Sequence, residues 1–337
     1  YGYIVAGQRA VGFDLDAWVL KLHPDGSIWW SKAYGGPLWD GAYSICESIE
    51  GGVSYYLVAG YTESFGAGLQ DFWVMKLNSG DGSVVWQRTY GGVAFDCAHS
   101  ISKTTDGHYI VAGSTNSWGV NIDFWVLKLE PDGSFGAHGW QRTYGGPQWD
   151  GARSIQQAMD GNYIVAGFTE SAGAGQRDFW VLKLASDTGI PIWGYTYGGA
   201  YSDEARSISR TLDGGCVVAG STFSFTASLS DFWVLKLDTT GGIAWQKRYG
   251  GLDHDKAFSI SPTTDGGYVV GGFTRSFFPA ALRDVVVYKL DRDGNIPICL
   301  MRNTTAIPNE YRPYRGSEVI VRNQNVSEPY PAIRLPS

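Results

Sequence analysis

One strand-like phrase occurs six times in this chain of 337 residues. It reads Asp-Phe-Trp-Val-Leu-Lys-Leu or a close variant, and the copies begin at Asp16, Asp71, Asp123, Asp178, Asp231 and Asp284. Successive copies are 52 to 55 residues apart. A fixed period of about 50 residues, built from short β-type segments, is typical of a β-propeller. The repeat therefore predicts the architecture, whereas a propeller scaffold by itself says little about function.

Each unit contains four strand-like segments joined by tight turns. In the third unit these segments are residues 100–104, 108–113, 123–129 and 140–146. They are rich in Val, Ile, Tyr, Trp and Thr, which suit a packed, pleated surface. Asp-Gly and Pro-Asp-Gly mark the turns, because Gly accepts positive φ and Pro presets φ. No segment has a helical period, so we predict an all-β protein made of four-stranded antiparallel blades.

The second and third segments occur six times, but the first and fourth occur only five times. The chain therefore begins inside a blade, at its second strand. Residues 295–301 stand where the sixth copy of the fourth strand is expected, without its Trp and Gly-Gly. The sequence predicts a six-bladed β-propeller with a permuted start over residues 1–301, followed by a short extended C-terminal tail over residues 302–337.

One first strand is missing from this count, and the tail contains one β-like run that could supply it. That run is residues 317–322, centred on Val319, Ile320 and Val321. Pairing beside residues 3–6 would close the ring within one chain. Pairing with the next molecule would instead join subunits, since an open strand edge accepts a donated strand. Both alternatives stay open at this point.

Composition and charge exclude some functions. The net charge is −7, the tail carries five Arg and three Glu (about +2), and the propeller therefore carries about −9. We expect no nucleic-acid partner and, without a run of 18 apolar residues, no membrane span. Two glycosylation sequons begin at Asn303 and Asn325. Together with a start at Tyr1 rather than Met, interpreted as a mature or trimmed product, they favour an extracellular or cell-surface location.

Four cysteines occur at non-equivalent positions of the repeat, and none forms a Cys-x-x-Cys pair, so metal or redox use is not expected. Cys46 and Cys97 belong to adjacent blades and are the preferred candidates for a disulfide. Buried free thiols are the alternative.

Two rings of charge recur in the repeats. Asp40, Asp96, Asp150, Asp203 and Asp255 share one position, and Lys21, Lys76, Lys128, Lys183, Lys236 and Lys289 share another. A central ion site is one interpretation of these rings. A charge present in every blade is better explained by a structural need, such as an Asp that caps turn N–H groups.

Residues that break the symmetry are better functional candidates. Trp39 and Trp149 occupy one loop position, and exposed there they would suit carbohydrate stacking or protein contact, although local packing also explains them. His99, His108, His138 and His254 have no metal-ligand spacing. No phosphate loop, nucleophile elbow or EF-hand loop is present. The sequence assigns no catalytic residue, cofactor site or metal site.

Residues 185–193, Ala-Ser-Asp-Thr-Gly-Ile-Pro-Ile-Trp, resemble the tryptophan-docking motif of quinoprotein-type propellers. The resemblance implies tryptophans that lock each blade to the next, here Trp30, Trp86, Trp140, Trp193 and Trp245. It does not extend to quinone chemistry, because the chain has no adjacent Cys-Cys pair. The whole unit also resembles the repeats of secreted archaeal and bacterial surface proteins over about residues 1–295, which implies an extracellular location and a role in binding or assembly.

Three functional hypotheses follow. The leading one is a non-enzymatic extracellular structural or interaction protein, whose partner is itself, as a homo-oligomer or polymer, or another surface protein or glycan. The second is a lectin-like module that uses Trp39 and Trp149. The third is a polysaccharide hydrolase or lyase, since no feature of the sequence singles out or excludes a carboxylate pair.

Overall fold

The computed structural model describes residues 2–119, 121–226, 229–276 and 283–296. These residues form 22 strands in six antiparallel sheets, and they contain no helix. The sheets follow one another along the chain in a propeller arrangement. The predicted all-β, six-bladed fold is therefore confirmed. Sheets 2 to 5 have four strands, whereas sheets 1 and 6 have three strands in the described part of the chain.

The strands have the following bounds. Sheet 1 contains β1 (Tyr3–Val11), β2 (Asp14–Leu22) and β3 (Ile28–Tyr34). Sheet 2 contains β4 (Asp40–Glu50), β5 (Val53–Thr62), β6 (Asp71–Asn78) and β7 (Val84–Tyr90). Sheet 3 contains β8 (Asp96–Lys103), β9 (Tyr109–Thr115), β10 (Asp123–Leu129) and β11 (Trp140–Tyr144).

The second half of the chain repeats this order. Sheet 4 contains β12 (Asp150–Gln157), β13 (Tyr163–Thr169), β14 (Asp178–Leu184) and β15 (Pro191–Tyr197). Sheet 5 contains β16 (Asp203–Arg210), β17 (Cys216–Thr222), β18 (Asp231–Leu237) and β19 (Ile243–Tyr249). Sheet 6 contains β20 (Asp255–Pro262), β21 (Tyr268–Thr274) and β22 (Asp284–Leu290).

The first strands of sheets 2 to 6 lie side by side around the common axis. Each contacts the first strand of the next sheet. The repeated Ser-Ile dipeptide makes this link: the backbone N–H of Ile101 donates to Ser44 Oγ at 3.1 Å, and the same bond joins Ile155 to Ser100. Two further copies, at Ile208 and Ile260, continue the row. The dipeptide therefore recurs because it links neighbouring sheets at the axis.

The hydrophobic core consists of layers between successive sheets. We call the face that packs on the following sheet the trailing face, and the opposite one the leading face. Phe124 on the trailing face of sheet 3 packs on Trp180 of sheet 4 with ring centroids 4.6 Å apart. Phe179 and Trp233 repeat the contact at 4.7 Å. Because both faces of an inner sheet are covered, β14 and β18 are buried along their whole length.

The recurring tryptophans of the fourth strands bond to the next sheet. Each indole N–H donates to a backbone carbonyl in that sheet at 3.2 Å; the pairs are Trp30 with Ser79, Trp86 with Pro131, Trp140 with Ser186, Trp193 with Thr239 and Trp245 with Arg292. The tyrosine four residues later donates its hydroxyl to a turn glycine of the same sheet at 2.5–2.6 Å. Two directional bonds thus join each outer strand to the following sheet, each contributing about 1 kcal/mol.

The cysteines differ from the preferred sequence interpretation. Cys46 and Cys97 are free thiols, as is Cys216, so the proposed Cys46–Cys97 disulfide is not formed. The Ser44–Ile101 bond sets Cys46 level with Lys103. That places it about six residues, or roughly 15–20 Å, along the strand from Cys97. Burial raises the pKa of the Cys46 thiol to about 11 and that of Cys97 to about 12, so both remain protonated and unreactive.

Several sequence predictions lie outside the described residues. These are Cys299, the tail over residues 302–337, the sequons at Asn303 and Asn325, and the strand centred on Val319, Ile320 and Val321. Among the residues that are described, no helix is long and apolar enough to cross a membrane.

The contact between Trp140 and the turn of sheet 4 can be tested at Gly189. This glycine has φ +69°, and an added Cβ would lie 2.6 Å from the Trp140 ring. Gly189→Ala should therefore destabilise the protein by backbone strain of about 1–2 kcal/mol and by a further clash cost of about 1–3 kcal/mol. The measurement is the free energy of unfolding in urea.

Gly161→Ala is the matched control. Gly161 has φ +85° but no atom within 4 Å of an added Cβ, so this variant carries the backbone strain alone. Equal losses of stability in the two variants would show that the packing of Trp140 on the turn does not hold the sheets together.

Candidate functional site

The recurring first-strand aspartates cap the turns that precede them. Asp150 is fully buried, and its Oδ2 accepts bonds from the Gly146 backbone N–H at 2.9 Å and from Ser171 Oγ at 2.7 Å. The same pair of donors serves Asp40, Asp96, Asp203 and Asp255. These five aspartates therefore bind a backbone N–H and a serine hydroxyl of the protein itself.

A second carboxyl, buried or partly buried, lies beside each of these and comes from the start of the third strand of the preceding sheet. Burial, with the neighbouring Asp150, raises the pKa of Asp123 to about 6. Burial and Asp203 do the same for Asp178, again to about 6. Burial is also the main cause that raises the pKa of Asp231 to about 7, although Arg248 opposes it. The sheet interfaces therefore hold carboxyls that ionise only near neutral pH.

Five of the six recurring lysines pair with a carboxylate of their own sheet, whereas Lys21 donates to the backbone carbonyl of Ser79 in sheet 2 at 2.7 Å. Lys128 Nζ lies 2.9 Å from Asp106, and Lys183 Nζ lies 2.6 Å from Asp160. Lys76, Lys236 and Lys289 pair in the same way with Glu50, Asp213 and Asp265. Each pair ties the third strand to the end of the first strand or to the connection that follows it, and Lys21 is bonded to sheet 2, so this ring presents no free row of cations.

The two candidate face tryptophans are exposed at the same edge of the propeller. Trp39 is 52% exposed and Trp149 is 50% exposed, while their backbone carbonyls accept bonds from Glu63 and Glu170. Phe95, at the equivalent loop position of sheet 3, is also half exposed. The indole rings are therefore available to a ligand or partner, and only their backbones serve the fold.

A row of side chains that the sequence analysis did not single out lines the axis. In every first strand the pairing register shifts by one residue after the recurring Ala, a β-bulge. A bulge re-aims the extra residue. The bulged residues are Tyr43, His99, Arg153, Arg206 and Phe258. The signal was present in the motif Asp-x-Ala-x-Ser-Ile, because this second x is the position that changes chemistry between units.

These axial side chains contact one another in order around the axis. The rings of Tyr43 and His99 lie 5.4 Å apart, and Arg153 Nη1 lies 2.6 Å from His99 Nε2. Burial and the two arginines lower the pKa of His99 to about 3, so the ring is neutral and accepts this bond. Glu204 bridges Arg153 at 3.1 Å and Arg206 at 2.8 Å. Two guanidinium groups thus share one carboxylate, which leaves an excess positive charge at the axis.

The trailing face of sheet 6 is open to solvent. Val285 is 86% exposed and Val287 is 62% exposed. The residues at the same two positions in sheets 2 to 5 are fully buried: Phe72, Phe124, Phe179 and Phe232 at the first, and Val74, Val126, Val181 and Val234 at the second. The trailing face of sheet 6 is therefore exposed, whereas the same face of each earlier sheet is covered by the next sheet.

The leading face of sheet 1 is open in the same way. Tyr3 is 61% exposed and Val5 is 44% exposed, whereas Tyr109 and Val111, at these positions in sheet 3, are fully buried. The turn at Gly26 also lacks the contact that its counterparts make, since no atom lies within 4 Å of a Cβ added there. At the equivalent Gly133, the Trp86 ring is 3.0 Å away. Among the described residues, sheet 1 thus exposes the face that sheets 2 to 6 bury against the sheet before them.

The histidines have different surroundings. His254 Nδ1 lies 3.0 Å from Ser230 Oγ, and His99 belongs to the axial row. His108 and His138, far apart in sequence, both approach Glu130 at the opposite edge of sheet 3. Their spacing in the sequence did not predict that these two histidines lie close together.

The fold and these surfaces define the chain as a β-propeller repeat protein. No protein-family model matches the sequence. The chain is 27% identical over 145 residues to regulatory protein FlaEY of Caulobacter vibrioides, which covers 38% of this chain and 15% of that protein. The alignment therefore spans only a small part of that relative.

Solved propeller structures are similar at low identity. Sqt1 of Chaetomium thermophilum has a TM-score of 0.47 and 12% identity, covering 86% of this chain and 79% of Sqt1. CoXyl43, a GH43 β-xylosidase/α-arabinofuranosidase from a compost metagenome, has a TM-score of 0.42 and 12% identity, covering 76% of this chain and 93% of the enzyme. At these values the similarity carries no argument about function.

The buried carboxyls predict how stability depends on pH. Unfolded aspartates have a pKa of about 3.9, so the folded protein binds more protons than the unfolded chain between about pH 4 and 7. The free energy of unfolding should therefore fall as the pH rises through this window. Asp178→Asn should reduce the fall between pH 5 and pH 7.5, measured by urea unfolding at both values.

Asp187→Asn, which changes an exposed carboxylate, is the control and should leave the pH dependence unaltered. A fall of the same size in the wild type and Asp178→Asn would contradict the assignment of proton release to these interfaces.

Proposed function

We propose that this protein is a non-catalytic interaction propeller that joins to further copies of itself through the open faces of sheets 1 and 6. One observation carries the proposal: the two exposed faces are the complementary halves of a contact that occurs five times inside the molecule. Val285 and Val287 form one half, and Tyr3 and Val5 belong to the other. A second copy brings the required partner surface to each.

Apolar burial supplies the driving force. Covering an exposed Val or Tyr side chain stabilises an association by about 1.5–3 kcal/mol when burial is complete. The two faces lie on different sheets, so their contact is head-to-tail. A head-to-tail contact generates a closed ring of molecules when the rotation closes and a filament when it does not.

This contact would be weaker than those within the chain. The sixth unit has Ile298 at the sequence position of the locking Trp245, so the indole bond is not available to the Gly26 turn. The association is accordingly concentration-dependent. The same proposal includes the extracellular location and the donated strand around Val319, Ile320 and Val321, for which sequence patterns are the support.

Assembly of the 337-residue chain can be measured by light scattering after size exclusion and by negative-stain electron microscopy. We expect oligomers whose mass increases with protein concentration. Val287→Lys should abolish them, because it places a charge in the contact. Leu212→Lys, at a residue 91% exposed in a turn of sheet 5, should leave them intact.

A wild-type protein that stays monomeric at all concentrations would overturn the proposal, as would unchanged assembly of Val287→Lys. A version that ends at Met301 separates two routes. Assembly that persists without residues 302–337 would mean that the sheet faces suffice, and assembly that disappears would mean that the tail contributes the joining strand.

Lectin-like carbohydrate binding is the second candidate function. Its support is the pair of half-exposed indoles of Trp39 and Trp149 on one edge, since aromatic faces stack on sugar rings. On a glycan array we expect binding that Trp39→Ala reduces at least tenfold. Trp29→Ala, at a tryptophan 49% exposed in sheet 1, is the control and should bind as the wild type does. A blank array would count against this function.

A further inference from the structure

Three residues whose types are not found at the equivalent positions of the other repeats lie together at one edge of sheet 3. Glu130 directly follows β10, His108 directly precedes β9, and His138 lies in the connection between β10 and β11. That connection has ten residues (130–139), against five (238–242) at the same place in sheet 5. The insertion is what brings His138 back over Glu130.

The polar atoms of these residues lie close to one another. Glu130 Oε2 lies 3.0 Å from His108 Nε2, and Glu130 Oε1 lies 3.3 Å from His138 Nδ1. One ligand atom from each of the three residues can be chosen so that all lie within 4.8 Å of one another. The backbone N–H of His138 also donates to Glu130 Oε1 at 3.0 Å, which fixes the carboxylate. The three side chains thus bring nitrogen and oxygen atoms that can bind a metal into one small region.

His108 carries the strongest indication of a missing ligand. Its side chain is only 13% exposed. Within the described part of the chain, neither ring nitrogen has a hydrogen bond of acceptable geometry, although carboxylate oxygens lie 3.0 and 3.3 Å away. A largely buried imidazole that lies close to carboxylates without a well-formed hydrogen bond to them needs another partner.

We propose that His108, Glu130 and His138 bind a zinc ion, through His108 Nε2, the Glu130 carboxylate and His138 Nδ1. Two imidazoles and a carboxylate are a ligand set that zinc uses in proteins. Tetrahedral bonds of about 2.0–2.2 Å place neighbouring ligand atoms about 3.3–3.6 Å apart. The separations of 3.0 and 3.3 Å, which involve different oxygens of Glu130, are close to these values, and the three ligand atoms, which lie within 4.8 Å of one another, need to draw together around the ion.

Neighbouring groups complete the site. Asp106 Oδ1 lies 3.3 Å from His108 Nδ1, on the ring side away from Glu130, and its other oxygen pairs with Lys128. A carboxylate in this place orients a metal-bound imidazole. The His138 side chain is 71% exposed, so solvent reaches the site from this side. Three protein ligands and one open position suit a zinc ion that holds water or an external ligand.

The site is separate from the surfaces already described. It lies where β8 ends and β9 begins, whereas Trp149 and the carboxyl of Asp150 lie at the opposite end of the strands. The axial row also belongs to the first strands, not to this edge. Zinc binding is therefore independent of the assembly contact between sheets 1 and 6.

The test is isothermal titration of Zn²⁺ into tag-free, chelator-treated protein, with Co²⁺ absorption as a second readout. We expect one zinc per chain and a cobalt spectrum typical of tetrahedral nitrogen and oxygen ligands. His138→Ala and Glu130→Gln should each weaken binding by more than about 100-fold, because even an outer partner is worth about 10–100-fold. Asp106→Asn should weaken it by about 10–100-fold.

His254→Ala is the matched control and should bind zinc as the wild type does. Zinc should also raise the melting temperature of the wild type and of His254→Ala but not that of His138→Ala. Absence of stoichiometric binding would overturn the proposal. So would binding that survives both His138→Ala and Glu130→Gln, since the metal would then sit elsewhere.

Discussion

The whole molecule depends on one contact that is made between each sheet and the next. A trailing face of Phe and Val meets a leading face of Trp, Tyr and Val, as where Phe124 packs on Trp180. Both faces of an inner sheet are apolar, so a single sheet could not remain folded in water. Each inner sheet is therefore stabilised by the two sheets that pack on its faces. Where a sheet has no neighbour, as at Val285 and Val287, the same apolar surface becomes a site for association.

The repeats made most of the fold predictable. The strand segments, the turns and the tryptophan positions each recur several times in the sequence. Comparing the copies therefore separates the features that the blade needs from variation in a single repeat. The disulfide interpretation failed for a reason that repetition does not reveal. Cys46 and Cys97 lie in adjacent sheets, but the Ser44–Ile101 bond sets the two strands at a height that separates them. Register between sheets depends on three-dimensional pairing that the repeat length does not specify.

The sites were less predictable, because each depends on distance in space. His108, Glu130 and His138 are separated by 22 and 8 residues, which matches no ligand spacing. Their meeting required the long β10–β11 connection to fold back. The axial row was invisible for another reason: its members have different chemistry, and only the bulge gives them one location. The recurring charges, by contrast, could be interpreted from the sequence. A charge that recurs from repeat to repeat was expected to serve the scaffold, and the recurring carboxylates and lysines do bond within it.

The bulges have an evolutionary consequence. Each inserts one residue that the strand ladder does not use, so Tyr43, Arg153 or Phe258 can be exchanged without altering the pairing that surrounds it. Five such positions face a shared space while the flanking Ala and Ser remain fixed. Duplicated units could therefore diverge in the chemistry of this position one side chain at a time, while the strand pairing stays unchanged. In this propeller the residues of the strand ladder are constrained by pairing, whereas the bulged residues are free of that constraint.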